Sequence, residues 1–363
     1  MDTLAIDIET YSDVSLPDCG VHRYAASEQF EILLFAYSLN DEPTRIIDLA
    51  SGQTMPDEIM ECLMDDSVVK TAFNAAFERN CISRFFGLTL KPEGWRCTAV
   101  QASMLSLPLS LEGVGEALNL DKKKMSEGKD LIRYFCMPCK PTKANGGRTR
   151  NLPSDAPEKW ELFKTYCILS LIHISEPTNK LAKFPITDRE QELYCMDQRI
   201  NDRGIMVDRE LISHAVACDL LYKEAASKRA YEISGLENPN SVSQLKDWLN
   251  EKGIEVDSLA KAAVEELVEK TEGEVSEMMK LRLSMSKTSV KKYEAMERSV
   301  CPDGRVHGLL QFYGANRTGR WAGRLVQIHN LPQNHMEDLE LARSIVKEGR
   351  YDLVELLYDS TPE

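Results

Sequence analysis

No run of apolar residues in this chain approaches the ~20 that a helix needs to cross a bilayer, so no membrane role is expected. The Met-Asp-Thr start has no basic region followed by an apolar core, which leaves no secretory signal to expect from it. Paired cysteines are scarce as well. The ten cysteines are scattered, and the only close pair, Cys136-Met-Pro-Cys139, has no second pair to complete a zinc site. A reduced, cytoplasmic protein is expected (host cytoplasm if phage-encoded). Internal repeats at periods of 20–50 residues are missing, which excludes solenoids and propellers. Positive charge is short overall. A net charge of −14 argues against a generic nucleic-acid coat, but it leaves room for a nuclease whose acids gather at metals and on solvated helices.

What is present begins with Leu4-Ala-Ile-Asp7-Ile-Glu9-Thr10. On a strand, residues two apart share a face, so Asp7 and Glu9 project together while Ile6 and Ile8 turn into packing. Two adjacent acids repel unless a cation lies between them, and a hard divalent ion with oxygen ligands is the usual solution. A strand leaving the core with solvated acids fits this stretch, taken alone, equally well. Two stretches concentrate positive charge: Lys140–Arg150, with four cations and no acid, and Arg305–Arg324, with Arg305, Arg317, Arg320 and Arg324 and no acid. Either is a solvated loop or a phosphate contact.

The first part reads as α/β. Strands are expected at Leu4–Ile8, Glu31–Leu39, Thr44–Asp48 and Val68–Phe73, the last ending at Asn74. A helix follows, with Phe77, Cys81 and Phe85 at i, i+4, i+8. Thr98–Leu105 and Leu111–Leu118 read as short helices and Lys140–Pro153 as a loop. Asp155-Ala-Pro-Glu158 has the form of a capping box, opening a helix with Trp160, Phe163 and Cys167 on one apolar stripe. Thr187-Asp-Arg-Glu190 is a second capping box, for a helix with Leu193, Met196 and Ile200 on its apolar face and Gly204 at its end. Helix-favouring stretches follow at Arg209–Ser234, Ser243–Glu251, Leu259–Lys270 and Val275–Ser299. A boundary is therefore expected near Pro185, between an α/β domain at 1–185 and a mainly helical region at 186–363.

Asp7 and Glu9 need partners. Asn74-Ala-Ala-Phe77-Glu78 can aim a carboxylate from the start of a helix. Tyr166 and residue 170 are i, i+4 neighbours on a helix face. D-x-E on the first strand, N-x-x-x-F-[D/E] at a strand-to-helix junction and Y-x-x-x-D on a late helix resemble the three motifs of the 3′–5′ proofreading exonucleases. That family has a ribonuclease-H-like fold, and the tyrosine variant is that of family A DNA polymerases. Asn240-Ser241-Val-Ser-Gln244-Leu245 resembles the thumb signature of those polymerases. Asp303-Gly-Arg305-Val-His307, Arg317-Thr-Gly-Arg320 and Ile328-His-Asn330-Leu-Pro332 resemble the segment before their palm. Phage-type members are the most similar, and the resemblance covers nearly the whole chain.

The resemblance implies phosphodiester hydrolysis at two Mg²⁺ or Mn²⁺ ions, ~3.5–4 Å apart, which activate a water and stabilise the leaving 3′ oxygen. Asp7 then bridges both ions, Glu9 joins the nucleophile-side ion, Glu78 acts through the water shell of the second, and Tyr166 orients the attacking water. Asn74 either holds the turn or touches the terminal nucleotide. Arg317, Arg320 and Asn330 are expected to contact primer–template DNA, and His329 stands where relatives have Gln. A monomer is expected, acting on primer–template and on a single-stranded 3′ end.

Two departures bear on activity. The motif-three aspartate should stand four residues after Tyr166, where this chain has Ser170, a poor ligand for a hard dication. Around it, Leu169–Thr178 reads LSLIHISEPT, with Pro177 expected to break the helix. That run resembles one reading frame of a widely used sequencing-library adapter, and it is read as overwriting the natural motif without a change of length. The second departure is that the palm aspartates would lie beyond Glu363, so no nucleotide incorporation is expected. The alternatives are a nuclease-dead primer–template-binding module, consistent with Ser170, and a ribonuclease-D-like RNA exonuclease, which the Arg317–Arg320 segment disfavours.

Overall fold

Alternation along the first strand follows the sequence. In β1 (Thr3–Tyr11), Leu4, Ile6 and Ile8 are buried and the residues between them are half-buried. In the computed structural model, which describes residues 2–120, 127–286, 290–315, 317–331 and 336–358, this strand is the centre of a five-stranded sheet. The other strands are β2 (Glu31–Leu39), β3 (Arg45–Asp48), β4 (Val69–Ala72) and β5 (Trp95–Cys97), in the order β3-β2-β1-β4-β5. The β1–β2 and β2–β3 pairs are antiparallel, and the β1–β4 and β4–β5 pairs are parallel. Around the sheet run α1 (Leu16–Ala25), α2 (Asp57–Met64), α3 (Ala75–Phe86), α4 (Thr98–Met104), α5 (Leu111–Ala117), α6 (Gly128–Phe135), α7 (Pro157–Leu181) and α8 (Asp188–Arg203). The result is the α/β class expected from the sequence.

The sheet buries both faces. Leu4, Ile6 and Ile8 pack with Ile59, Leu63, Cys81 and Ile82. The opposite face, with Leu34 and Ala36 of β2, is covered by Trp160, Phe163, Tyr166 and Cys167 of α7. The expected stripe on α7 is therefore real. Its cap is not the expected one. Ala156 holds the N-cap position, while Asp155 accepts from the Leu152 N–H at 2.7 Å and from Arg148 Nη1 at 2.9 Å. Nor does α7 break at Pro177; it continues to Leu181. Proline removes one backbone donor, to the carbonyl of residue 173. Burial of Leu171, Ile174 and Leu181 on the sheet side and against Ala102 and Val114 holds the helix across that gap.

The chain divides into two compact units, Met1–Met206 with Arg298–His329 and Val207–Glu297 with Asn330–Glu363. The division falls after Met206, not near Pro185, because α8 is bound to the first unit. Buried Arg79 donates to Asp202 at 2.7 Å, Gln191 donates to the Trp95 carbonyl at 3.1 Å, and Tyr194 joins the sheet core. Thr187 caps α8 as expected, accepting from the Glu190 N–H at 3.3 Å. The buried face of α8 is Tyr194, Asp197, Gln198 and Asn201, whereas Met196, expected inside, is 42% exposed. The first unit also holds β6 (Ile205–Met206), paired with β7 (Arg305–Val306), and a hairpin of β8 (Leu310–Ala315) with β9 (Arg320–Gly323).

The second unit is helical: α9 (Arg209–Ser234), α10 (Val242–Glu251), α11 (Lys261–Lys270), α12 (Gly273–Met285), α14 (Leu339–Lys347) and α15 (Tyr351–Tyr358), with α13 (Lys291–Ser299) reaching the division. Ala230, Leu245, Leu249, Met278 and Met279 form its core. The single helix expected over Val275–Ser299 is two, α12 and α13; residues 287–289 between them lie outside the described residues.

Candidate active site

β1 carries Asp7 opposite Ala36 and Glu9 opposite Leu34, and the register with β2 shifts between Glu9 and Thr10. Such a bulge re-aims the side chains beside it. Both acids are half-buried. α7 crosses this face and brings Cys167, fully buried, into the same place. The candidate ligand atoms of Asp7, Glu9 and Cys167 all lie within 4.8 Å of one another. Cys136, at the end of α6, points its thiol at Glu9 Oε2 across 3.9 Å. Its sequence neighbour Cys139 turns elsewhere, to the Arg148 carbonyl at 3.4 Å.

Glu78 is buried in the first turn of α3, and its Oε2 has no hydrogen-bond partner. Burial, and then the negative charge of Asp7 and Glu9, push its carboxyl well above the usual range. Burial followed by the same two carboxylates raises the Cys167 thiol and the Tyr166 phenol. Three acids from β1 and α3 and a phenol from α7 therefore share one electrostatic neighbourhood. Such a neighbourhood suits a cation, whose charge opposes the repulsion among these groups. Tyr166 is held by packing: its ring stacks on Phe163, with centroids 6.1 Å apart, and lies against Gly128, where an added Cβ would come within 2.2 Å of Tyr166 Cε2. Ser170, one turn further along α7, is buried.

Asn74 stands at the N-cap position of α3, but its side chain makes no capping bond and is exposed; only its carbonyl holds the turn, accepting from the Phe77 N–H at 2.7 Å. A cavity of about 540 Å³ runs beside it, lined by Asn74, Phe77, Asn80, Tyr194, Gln311 and Arg324 among others.

The basic stretches divide on inspection. In the first, Arg150 pairs with Glu31 and lies over the Tyr11 ring, and Arg148 binds Asp155 and Asn151. These two cations brace the loop, which leaves the exposed Lys140 and Lys143 for solvent or ligand. In the second, Arg305 donates to the Gly204 carbonyl at 3.2 Å, and His307 joins Asp303 at 3.1 Å. The Asp303–His307 motif thus folds its own turn. Arg317 and Arg320, at the tip and exit of the β8–β9 hairpin, are exposed, as is Asn330 in the other unit. Pro332 lies outside the described residues.

Sequence reasoning missed Cys136 and Cys167 at this site. Cys167 carried a signal, since it directly follows Tyr166, but its place on an apolar stripe also explained it. Cys136 carried none, because only the fold brings α6 to Glu9.

No protein-family model matches the chain. The DNA polymerase of Bacillus phage SP02 is 54% identical over 363 residues, which are the whole of this chain and 56% of that relative. The chain is a homologue of a phage DNA polymerase. It spans little more than half the length of that relative. Among solved structures, the POL domain of Pol1 from M. smegmatis, in complex with DNA primer-template and dNTP, matches 97% of this chain and 54% of its own with a TM-score of 0.56 at 16% identity, which shows a shared fold. Brucella melitensis NrnC with bound Mg²⁺ matches 50% of this chain and 72% of its own, with a TM-score of 0.34 at 17% identity. Among the described residues, no helix of this chain is long and apolar enough to cross a membrane.

Proposed function

We propose that this chain is the 3′–5′ exonuclease and thumb portion of a phage-type family A DNA polymerase, and that it trims 3′ ends of DNA during replication. The exonuclease role belongs to the α/β unit that carries Asp7, Glu9 and Glu78, and the thumb role to the helical unit. The observation that carries the reading is the approach of Asp7 and Glu9 to one point, with the buried carboxyl of Glu78 in their electrostatic field. The first two lie within ligand distance of a common ion, and the third offers a buried carboxylate oxygen without a partner. Asp7, Glu9 and Glu78 would hold Mg²⁺ or Mn²⁺. When bound, these ions supply Lewis acidity for attack of water on phosphorus and for departure of the 3′ oxygen.

The chain's own residues do the rest. Tyr166, fixed by Phe163 and Gly128, donates its hydroxyl proton in a hydrogen bond that orients the incoming water. Water oxygen bonds to phosphorus and gives a proton to solvent, the bond from phosphorus to the 3′ oxygen breaks, and that oxygen takes a proton from solvent to leave a shortened strand and a nucleoside monophosphate. The Asn74 side chain, which makes no capping bond, reaches the terminal nucleotide, and the cavity beside α3 gives that nucleotide room. Arg317, Arg320 and Asn330 contact the primer–template duplex.

Ser170 supplies no charge where a fourth ligand belongs, and Leu169–Thr178 reads as an assembly artefact, so the chain as written is a crippled exonuclease. Ser170→Asp should raise Mg²⁺- or Mn²⁺-dependent release of nucleotides from a single-stranded DNA 3′ end by at least about 100-fold. Equal rates would refute the assignment. Duplex binding without any cleavage in the Asp variant would favour the second reading, a nuclease-dead primer–template-binding module, which Ser170 itself supports. Faster cleavage of RNA than DNA ends would point to a ribonuclease-D-like enzyme.

A further inference from the structure

We propose that Asp197 is a positioning residue for DNA contact: through Trp321 and Asn201 it holds the β8–β9 hairpin so that Arg317 and Arg320 face the primer–template. The inference rests on the reading of those two arginines as duplex contacts and adds what aims them. Asp197 lies on α8 and is 1% exposed. A carboxylate only accepts hydrogen bonds, and three neutral donors meet this one. Trp321 Nε1 donates to Oδ1 at 2.8 Å, and Gln198 Nε2 and Asn201 Nδ2 each donate to Oδ2 at 3.0 Å. Asn201 reaches on to β8. Its side chain donates to the Leu310 carbonyl at 2.9 Å and accepts from the Leu310 N–H at 2.9 Å, as a neighbouring strand would. Its own carbonyl accepts from the Gly308 N–H at 3.2 Å. One buried anion thus ties both strands of the hairpin to α8.

The hairpin already has apolar anchorage, since Phe312 is buried against Tyr194 and Trp321. Apolar burial is non-directional, and a buried carboxylate is costly to keep. What the network adds is direction. Successive residues of a strand point to opposite sides. With the Trp321 indole fixed inward on Asp197, Arg320 is turned outward, and it is exposed. Arg317 is set by the turn. The Ala315 carbonyl accepts from the Thr318 N–H at 3.0 Å and from the Gly319 N–H at 2.9 Å. Gly319 has a φ of 66°, and an added Cβ there would come within 2.9 Å of Tyr313 Cε1. Asp197→Asn breaks the arrangement while keeping its size. An amide nitrogen in place of either oxygen faces a donor, so the Trp321 bond or the pair from Gln198 and Asn201 is lost.

Titration of a fluorescent primer–template with the purified chain, at several salt concentrations, tests the inference. Asp197→Asn and Trp321→Phe, which keeps an aromatic ring but not the N–H, should each weaken binding about 5-fold and lower the slope of log affinity against log salt. The arginines supply the discriminating background. In Arg317→Ala/Arg320→Ala protein neither substitution should cost further affinity, because the side chains they aim are gone. A loss of the same size in both backgrounds would mean that Asp197 only stabilises the unit, and overturns the inference. Binding like the parent's by Trp321→Phe overturns it too, and decides the matter if the Asp197 variant does not fold. If the arginine pair matters and neither positioning variant does, this inference falls and the duplex reading stands. If the parent does not bind, or the arginine pair can be removed without loss, the duplex reading falls and this inference falls with it.

Discussion

His22 shows how much one buried side chain can depend on its surroundings. It stacks on His307 at 5.0 Å and sits 4.0 Å from Asp202 Oδ1, beside the buried Arg79. Burial lowers its pKa from 6.5 to about 4; Asp202 and Asp303 oppose that, and His307 and Arg79 reinforce it. Between about pH 4 and 6.5 the unfolded chain therefore binds a proton that the folded chain refuses. Stability from this site is complete above about pH 6.5 and is lost as pH falls towards 4, by up to about 3 kcal/mol. The expected outcome is a melting temperature that drops between pH 7 and pH 5, and drops less in His22→Gln. Parallel curves for the two proteins would show that His22 does not carry the effect. Asp197 acts in the opposite sense over part of the same window, since burial raises its carboxyl to about 6. Comparison of variant with parent, not the raw curve, therefore isolates the histidine.

At the scale of elements, α7 is the one whose sequence and structure disagree most. A proline four residues before its last residue should have ended it, yet tertiary burial carries it through. Local side chains help at the weak point: Ser175 Oγ donates to the Leu171 carbonyl at 3.1 Å and Thr178 Oγ1 to the Ile174 carbonyl at 2.8 Å. Replacing Pro177 by Ala should restore a backbone hydrogen bond and remove the ring, stabilising the protein by about 1–3 kcal/mol and raising the melting temperature. A fall in melting temperature would mean that the buried proline ring contributes more by packing than it costs the helix. Other elements escaped the sequence for identifiable reasons. α1 contains Gly20 at a φ of 76°, a kink that breaks its helical period. β5 is three residues long, too short for alternation to be read, and is fixed only by its pairing with β4.

Over the whole molecule, a net charge of −14 must coexist with any DNA contact. Phosphate contact then falls to local cations that are not already engaged, and of the two basic stretches the β8–β9 hairpin presents Arg317 and Arg320 at the surface. Arg320→Ala should weaken primer–template binding at all sequences alike and reduce the slope of log affinity against log salt by about 1. An unchanged slope would remove Arg320 from the interface. Arg148→Ala, by contrast, should disturb the 140–153 loop, because its guanidinium braces Asn151 and Asp155.

The sequence by itself determined the central strand, its two outward acids, the helix-opening Glu78, the tyrosine on α7 and the strand-rich to helix-rich change along the chain. Each of these is written in short-range periodicity and spacing, which adjacent residues fix through backbone geometry. Tertiary structure alone decided what those residues meet. It placed the thiols of Cys136 and Cys167 beside Glu9 and Asp7, bound α8 to the first unit through Arg79, and committed Arg148, Arg150 and Arg305 to internal partners. It also carried α7 through Pro177. These outcomes depend on burial and pairing between segments as much as 127 residues apart, as for Cys136 and Glu9, and no local pattern encodes an energy of that range.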